Sequence, residues 1–173
     1  MTKSQLKQVM TIFKVGIITC SDKGFRGQRE DTSGAYIKEY MTSIGFEVIE
    51  KIIISDDLDS IKTQIVHQAD VLKVDLILTT GGTGFSPRDN TPEATKEVIL
   101  REVPGISEML RAESYKVTKK AYLSRGISGI RNRTLIINLP GSLKAVKENI
   151  SFLENVFDHG LKILKSVDVE CGN

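Results

Sequence analysis

Tryptophan is absent from this sequence of 173 residues, and only 6% of the residues are aromatic. A surface that stacks nucleic-acid bases uses several aromatic side chains. Charge of one sign is also scarce, because 24 basic residues stand against 22 acidic ones and leave a net charge of +2. So small an excess argues against a surface that attracts nucleic acid or an acidic membrane. We therefore expect no nucleic acid among the partners.

Cysteine is rare as well, with Cys20 and Cys171 as the two examples. Two cysteines do not make the disulfide framework of a small secreted protein, and no residues have the spacing of metal ligands. Cys20 ends a predicted strand, where a small buried hydrophobic residue fits better than a nucleophile. The histidines, His67 and His159, fall in predicted helices, so Ser21 lacks the histidine that a hydrolase triad requires.

Long hydrophobic runs are missing too, since none approaches the ~20 residues of a membrane span. The polar segment before Ile12 lacks the apolar centre of a secretory signal. We therefore expect a cytoplasmic protein with no membrane partner. Residues 1–11 are predicted to be a flexible N-terminal arm and residues 12–168 a single domain, long enough for a sizeable core.

Apolar residues follow two alternating periods along the chain. Short runs rich in branched residues predict strands at residues 13–19, 46–54, 76–80, 127–131 and 134–138. Stripes at spacings of three and four predict helices at residues 32–44, 58–72, 91–102, 105–117 and 142–164. This alternation is typical of the α/β class, here a three-layer αβα single domain with a mostly parallel sheet.

Local signals refine several of these elements. Asp31 or Thr32 is expected to cap the first helix and Gly45 to end it. The strand at 46–54 alternates at its start, which suits an edge position. In the helix at 105–117, Val117 is expected to face inward with the other apolar residues.

Ligands of such folds bind outside the carboxyl ends of the parallel strands. Four loops should meet there, namely Ser21-Asp22, residues 55–57, residues 81–89 and Pro140-Gly141-Ser142. Scattered acids and glycines thereby become one site. Carboxylates beside helix N-termini are typical of a site for Mg²⁺ with phosphates.

The third of these loops carries the strongest signal. Its glycines, in Gly81-Gly82-Thr83-Gly84, let backbone N–H groups approach a ligand closely. Thr91 and Pro92 are expected to be the N-cap and the first residue of a helix whose partial positive charge points at the same place. Asp89 is a candidate metal or catalytic carboxylate. The alternative is a plain tight turn between strand and helix.

Two well-known phosphate loops do not match the glycine segment. A Walker A loop has a lysine after its last glycine, and Gly84 is followed by Phe85. A dinucleotide-binding GxGxxG loop has a different spacing and would follow the first strand. A flavodoxin-like FMN site would need stacking aromatics after the first strand, where only Phe25 is present.

Several stretches together resemble the Mog/MoaB-type molybdopterin adenylyltransferases. The similarity lies in residues 79–84 and 88–95 and in four more stretches, namely Ser21-Asp22, residues 30–34, residues 123–125 and residues 138–141. It extends over nearly all of the chain from Val15 to Leu164. The motifs are specific as a set, whereas the glycine loop alone would be weak evidence.

The resemblance implies an α/β domain that assembles as a homotrimer or as a hexamer of two trimers. It implies that the terminal phosphate of molybdopterin attacks the α-phosphate of ATP, with Mg²⁺ present, to give adenylylated molybdopterin and pyrophosphate before molybdenum insertion. It also implies a contact with the molybdenum insertase. Such a reaction depends on positioning and charge neutralisation, and it needs no protein nucleophile.

The resemblance assigns catalysis and Mg²⁺ binding to Asp56 and Asp89. Asp57 adjoins Asp56, so the family's acid could be either residue, and helix capping is the alternative role for both. For Asp89 the alternative is an Asx-turn. The resemblance implies a further set that binds molybdopterin or nucleotide: Ser21, Asp22, Gly81, Gly82, Thr83, Gly84, Thr91, Glu93, Ser124, Arg125, Pro140, Gly141 and Ser142.

One departure from the family pattern leaves a second function open. Ser142-Leu143 stands where the Mog-like branch more often has Asn-Pro. Serine is closer to the MoaB-like branch, some of whose members are thought not to adenylylate. The alternative is therefore a catalytically silent molybdopterin-binding or scaffold protein. The insertase function is disfavoured, because insertases have a GGVS-like glycine loop.

Overall fold

The computed structural model of the protein describes residues 11–165. One sheet contains the six strands of this part of the chain. The strands are β1 (Lys14–Cys20), β2 (Glu47–Ile54), β3 (Leu76–Thr80), β4 (Arg101–Glu102), β5 (Ser128–Arg131) and β6 (Thr134–Leu139). The helices are α1 (Asp22–Phe25), α2 (Thr32–Ser43), α3 (Leu58–Val66), α4 (Thr91–Val98), α5 (Pro104–Tyr115) and α6 (Leu143–Lys165). A π-helical turn (His67–Val71) follows α3, and a 3₁₀ helix (Lys119–Leu123) follows α5.

The strand order across the sheet is β2-β1-β3-β6-β5-β4. The first four strands are parallel, and β5 and β4 are antiparallel to their neighbours. The prediction of a mostly parallel sheet is therefore confirmed. β2 lies at an edge, as its alternation predicted, and most of its residues are only half-buried. Every residue of the central strand β3 is buried.

Two hydrophobic cores form on the two faces of the sheet. One face, with Ile17 and Leu78 at its centre, packs against α2, α5 and α6. The opposite face, with Ile18 and Ile77, packs against α3 and α4. Successive strand residues point to opposite faces, so neighbouring residues of β1 and β3 serve different cores. The three-layer αβα prediction is confirmed.

Several helix ends differ from the sequence prediction. α4 ends at Val98 rather than near Glu102, because Ile99 is extended and the Leu100 N–H donates to the Ile130 carbonyl at 2.8 Å. This backbone pairing opens β4, a strand that the helical pattern concealed. Val117 lies beyond α5 and is 53% exposed, so its predicted inward position is wrong.

Two further segments are more complex than the sequence pattern indicates. The loop after β1 contains a short helix, α1, that its polar composition does not reveal. The second predicted helix changes to a π-helical turn after Val66. By contrast, Asp31 caps α2 and Gly45, with φ 93°, follows its end as predicted.

No helix within residues 11–165 combines the length and the apolar character needed to cross a membrane. Nearly all of the predicted arm (residues 1–11), Cys171 and the last residues of the predicted domain lie outside the described residues.

Candidate active site

A cavity of about 640 Å³ opens at the carboxyl ends of the parallel strands. Its wall includes seven of the residues predicted from sequence: Ser21, Asp56, Gly81, Gly82, Asp89, Gly141 and Ser142. They come from the loops after β1, β2, β3 and β6, the four loops expected to converge. The topology brings them together because these four strands are parallel neighbours.

The glycine loop is shaped by two left-handed residues. Gly81 has φ 95° and Gly82 has φ 65°, values that side chains rarely adopt. A Cβ atom on Gly81 would overlap the Cys20 carbonyl oxygen, and one on Gly82 would overlap the Thr91 hydroxyl. Glycine is therefore required at both positions by conformation and by space. Gly82 also lies close to Asp56, since its Cβ would be 3.3 Å from Asp56 Oδ1.

The start of α4 differs by one residue from the sequence prediction. Asn90 is the N-cap residue and Thr91 the first helical residue, so the assignment of Thr91 as N-cap is wrong. Thr91 is fully buried, and its hydroxyl donates to the Gly81 carbonyl at 2.9 Å. The Asn90 amide donates to the Asp56 carbonyl at 2.9 Å. Both side chains thus fix neighbouring loops instead of capping their own helix.

Asp56 faces the cavity and is held by Asp22. The Asp22 N–H donates to Asp56 Oδ2 at 2.8 Å, and the Asp56 N–H donates to Asp22 Oδ1 at 3.1 Å. Burial raises the pKa of Asp56, the hydrogen bond from Asp22 opposes this shift, and the negative charges of Asp22 and Asp89 add to it. A carboxylate whose anion is disfavoured in this way can gain from a cation or a proton donor.

Asp57, the other candidate for the family's acid, has a different position. Its side chain accepts hydrogen bonds from the N–H and hydroxyl of Ser60, both at 2.9 Å, and it caps α3. The bond from the Ser60 N–H lowers its pKa. The capping role therefore falls to Asp57, and Asp56 is the acid of this pair that lines the cavity.

Asp89 lines the cavity, and its Oδ2 accepts the Ser86 N–H at 2.9 Å. This bond is not the Asx-turn considered as the alternative, because an Asx-turn would bind the Thr91 N–H, which instead donates to the Gly82 carbonyl at 3.1 Å. Gly84 leaves room for this carboxylate, because a Cβ there would lie 2.8 Å from Asp89 Oδ2. The glycine loop and Asp89 are consequently one folded unit.

Arg88 is a residue of this site that the sequence reasoning did not select. Its guanidinium donates from Nε to Asp22 Oδ2 at 3.0 Å and from Nη2 to Asp22 Oδ1 at 2.8 Å. This bidentate pair lowers the pKa of Asp22. Its position directly before Asp89, within the motif of residues 88–95, could have indicated that Arg88 belongs to the site. Asp22 itself does not line the cavity, because its carboxylate is turned toward Arg88 and the Asp56 backbone.

Arg125 and Glu93 lie behind the glycine loop rather than in the cavity. Arg125 donates to the Gly84 carbonyl at 2.8 Å and to the Asp89 carbonyl at 2.7 Å, and it forms an ion pair with Glu93. The Arg125 N–H also donates to the Thr83 carbonyl at 2.9 Å. These contacts hold the loop that the ligand would touch.

Ser124 and Pro140 line a different and smaller cavity, of about 220 Å³, next to α5 and α6. Of the predicted binding residues, eight therefore do not line the main cavity: Asp22, Thr83, Gly84, Thr91, Glu93, Ser124, Arg125 and Pro140. Sequence similarity places such residues near a site without telling which of them face it.

The N-termini of α2 and α6 also line the main cavity. Ser33 on α2 donates its hydroxyl to the Gly141 carbonyl at 2.9 Å and so joins the two helix starts. Ser142 accepts the Ala145 N–H at 3.3 Å and caps α6. Two helix N-termini give this part of the cavity wall a partial positive charge. The cavity thus combines carboxylates with helix N-termini suited to anions.

Residues 29–33 also line this cavity and were not chosen as site residues. Among them Asp31 accepts the Gly34 N–H at 2.8 Å and the Thr19 hydroxyl at 3.0 Å, and it pairs with Lys51 at 2.7 Å. The signal was present in the sequence, because residues 30–34 belonged to the stretches that carried the family resemblance.

Neither a nucleophile nor a closed metal cage is present in the described part of the chain. Burial raises the pKa of Cys20 to about 12, so its thiol stays protonated at neutral pH. Residues 11–165 contain no group of three or more His, Cys, Asp or Glu that could hold a metal ion. The chemistry of the cavity rests on carboxylates, backbone N–H groups and helix ends.

The fold and the site define the class of this chain. It is an α/β protein with a glycine loop and two acids at the carboxyl ends of its parallel strands. The family model described as a probable molybdopterin binding domain matches residues 16–159. The chain belongs to this family of molybdopterin-binding-domain proteins.

The relatives of this chain have names that refer to molybdopterin. It is 40% identical over 166 residues to a molybdopterin adenylyltransferase of Helicobacter pylori strain J99, with 95% of this chain and 91% of the relative covered. It is 36% identical to the molybdopterin adenylyltransferase of Escherichia coli K12, with 88% and 81% covered. The crystal structure of the molybdopterin biosynthesis enzyme MoaB from Thermus thermophilus superimposes with a TM-score of 0.85 at 46% identity, and 90% of this chain and 98% of that one are covered.

Proposed function

We propose that this protein is a molybdopterin adenylyltransferase of molybdenum cofactor biosynthesis. One observation carries the proposal: a single cavity joins two carboxylates, Asp56 and Asp89, to the N-termini of α2 and α6. This arrangement suits a reaction between two phosphate-bearing substrates. The names of the relatives in Helicobacter pylori and Escherichia coli support the same activity.

The proposed reaction needs no covalent intermediate on the protein. An oxygen of the terminal phosphate of molybdopterin forms a bond to the α-phosphorus of ATP, and the bond from that phosphorus to the bridging oxygen of the β-phosphate breaks. Pyrophosphate leaves, and adenylylated molybdopterin remains. Positioning and electrostatic stabilisation supply the catalysis of such transfers. The protonated thiol of Cys20 and the absence of a histidine among the cavity residues agree with this route.

Asp56 and Asp89 would hold Mg²⁺. The donor set fits this ion, because Mg²⁺ is usually bound by one or two carboxylates together with substrate phosphates and water. The raised pKa of Asp56 supports the assignment, since a nearby cation would relieve the cost of its charge. The ion would neutralise charge on the phosphates, while Gly81 and Gly82 offer backbone N–H groups to them.

A homotrimer or a hexamer of two trimers, contact with the molybdenum insertase and a cytoplasmic location complete the proposal. An exposed apolar patch next to the smaller cavity supports association with other protein surfaces. It consists of Tyr115, Val117, Tyr122 and Leu123, and the two tyrosine rings lie 4.7 Å apart. Sedimentation equilibrium of the purified protein measures the oligomeric state, and a monomer at micromolar concentration would contradict the trimer.

Anaerobic incubation with molybdopterin and Mg-ATP, followed by chromatography for the adenylylated pterin, tests the activity. We expect product from the wild type and a loss of about 10²-fold or more for Asp56→Asn, because this change removes a charge that acts on the reacting phosphates. Asp57→Asn is the matched control, since asparagine also caps helices well. It should retain nearly full activity.

The alternatives give different results in the same assay. Pterin binding without product would favour the catalytically silent pterin-binding protein. No binding of the pterin would contradict the ligand itself. A loss for Asp57→Asn as large as that for Asp56→Asn would contradict the assignment of Asp56.

A further inference from the structure

We propose that Arg88 is a positioning residue that acts through Asp22 on Asp56. The hydrogen-bonded set of Arg88, Asp22 and Asp56, called the bracket, keeps the acidic part of the cavity assembled. Arg88, Asp22 and Asp56 come from the loops after β3, β1 and β2. The inference rests on the proposed function for its catalytic consequence, but the bracket can be measured without activity.

Asp22 and Asp56 are joined by two reciprocal hydrogen bonds. Each residue donates its backbone N–H to the carboxylate of the other, at 2.8 Å and 3.1 Å. The two bonds fix the direction of both carboxylates and involve one oxygen of each. Asp56 Oδ1, which accepts no hydrogen bond in this exchange, lies near the position that a Cβ on Gly82 would occupy. The bracket therefore leaves that oxygen beside the glycine loop.

The charges of the two acids must also be balanced. Two carboxylates held this close together repel each other when both are ionised. Arg88 binds both oxygens of Asp22 at 2.8 Å and 3.0 Å and so compensates its charge. A planar guanidinium fits this geometry, whereas a lysine would supply a point charge without the fork. Arg88 thus makes the close approach of the two acids tolerable.

Three consecutive residues, Arg88, Asp89 and Asn90, connect the loops at this part of the cavity. Arg88 binds Asp22, Asp89 lines the cavity, and Asn90 donates to the Asp56 carbonyl at 2.9 Å. The segment that carries the second acid is therefore joined both to the loop of Asp22 and to the loop of Asp56. A shift of this segment would move Asp56 and Asp89 relative to each other.

Exposure indicates that the pair acts on local geometry more than on global stability. The side chains of Arg88 and Asp22 are 53% and 22% exposed. Ion pairs with such exposure contribute little to the free energy of unfolding. A second bidentate pair, Arg131 with Asp70, lies at the opposite end of the sheet and offers a matched control.

The experiment compares Arg88→Ala, Arg88→Lys, Asp22→Ala and the double variant Arg88→Ala/Asp22→Ala, with Arg131→Ala as control. We expect Arg88→Ala to lower kcat about 10- to 100-fold, as small misplacements of reacting groups do, while the KM for ATP changes less than about threefold. Arg88→Lys should lie between the wild type and Arg88→Ala. The double variant should be no worse than the more impaired single variant, because both act through one pair.

Amide hydrogen exchange of Asp22 and Asp56, measured by NMR, is the readout that needs no substrate. In Arg88→Ala both amides should exchange at least about 10-fold faster than in the wild type, because the mutual bonds open more often. Arg131→Ala should leave these two amides and kcat unchanged, even where it lowers Tm more than Arg88→Ala does.

Each contrary result has a distinct meaning. Unchanged exchange of both amides in Arg88→Ala would overturn the bracket. A raised KM for ATP in Arg88→Ala but not in Asp22→Ala would make Arg88 a direct phosphate ligand and would also overturn the proposal. A wild type without adenylyltransferase activity, together with faster exchange in Arg88→Ala, would refute the proposed function and leave the bracket standing.

Discussion

The two ends of the sheet differ in how their acidic side chains are paired. At the amino ends of the parallel strands, Asp70 pairs with Arg131 at 2.6 Å and Asp75 with Lys165 at 3.1 Å. At the carboxyl ends, Asp56 and Asp89 line the cavity, and neither forms an ion pair within the described residues. Here Arg88 is occupied by a third carboxylate, that of Asp22.

This contrast separates charges that support the fold from charges kept for a ligand. The lowered pKa of Asp70 shows that the folded protein favours its anion, whereas the raised pKa of Asp56 shows the opposite. A site that leaves the Asp56 carboxylate in such an unfavourable state loses stability, and losses of this kind are found at functional sites. Variants at matched positions of the two ends can test whether the distinction holds.

The largest contrast is expected between Asp89→Asn and Asp75→Asn. Asp89→Asn should lower adenylyltransferase activity about 10²- to 10³-fold with little change in Tm, because it removes charge from the cavity. Asp75→Asn should leave kcat near the wild-type value and reduce the free energy of unfolding by about 1–3 kcal/mol. Asp75 is buried, accepts the Lys14 N–H at 2.7 Å and binds Lys165.

Urea unfolding and the chromatographic assay measure the two effects on the same preparations. If Asp75→Asn abolished activity without loss of stability, the division between the two ends would be wrong.

A smaller contrast is expected between two left-handed glycines, Gly81→Ala in the cavity and Gly45→Ala before β2. Both have φ near 95°, so alanine is strained at each, by about 1–2 kcal/mol. Only Gly81 is also crowded, by the Cys20 carbonyl oxygen, and nothing lies within 4 Å of a Cβ at Gly45. Gly81→Ala should therefore cost about 3 kcal/mol in total, the excess coming from overpacking.

The midpoints of urea unfolding at equal m-values give both differences. Equal losses at the two positions would show that the glycine loop can shift away from Cys20, which the structure does not favour.

The smallest effects concern pH and should have opposite signs. Hydrogen bonds from Arg131 lower the pKa of Asp70, so its contribution to stability is present above the unfolded pKa of 3.8 and is lost as pH falls through the folded pKa. Asp70→Asn should therefore have a lower Tm than the wild type at pH 7, and this deficit should shrink below about pH 4.

Burial raises the pKa of Asp56, so its anion disfavours the folded state until pH falls through that raised value. Asp56→Asn should have a Tm equal to or above that of the wild type at pH 7, and the difference should disappear below about pH 4. Tm values measured from pH 3 to pH 8 test both variants. A lower Tm for Asp56→Asn at pH 7 would contradict the unfavourable charge.

The sequence predicted most of the architecture because the relevant signals are local. β3 lies at the predicted residues, β2 lies at an edge, and the turn at Asn132 joins two strands as expected, with φ 52°. The end of α4 was missed because its apolar pattern continues past Val98. A backbone bond from Leu100 to Ile130 replaces the helix there, and no local pattern indicates such a distant partner.

For the site, local sequence signals are enough to select the loops that line it. A buried strand followed by glycines, and acids placed after neighbouring parallel strands, are properties of short segments, and topology alone gathers them at one edge. Their dihedral angles and periodicity depend on residues a few positions apart. The glycine loop, Asp89 and the acid pair of Asp56 and Asp57 could therefore be selected from the amino-acid sequence alone.

Tertiary folding selects which side chains face the cavity. It directed Asp56 inward and made Asp57 a helix cap, and it placed Arg125 behind the glycine loop. It also joined Arg88 to Asp22, 66 positions away in the chain. The physical reason is that a charged group takes the partner that folding brings within hydrogen-bond distance, and neighbours along the chain do not specify that partner.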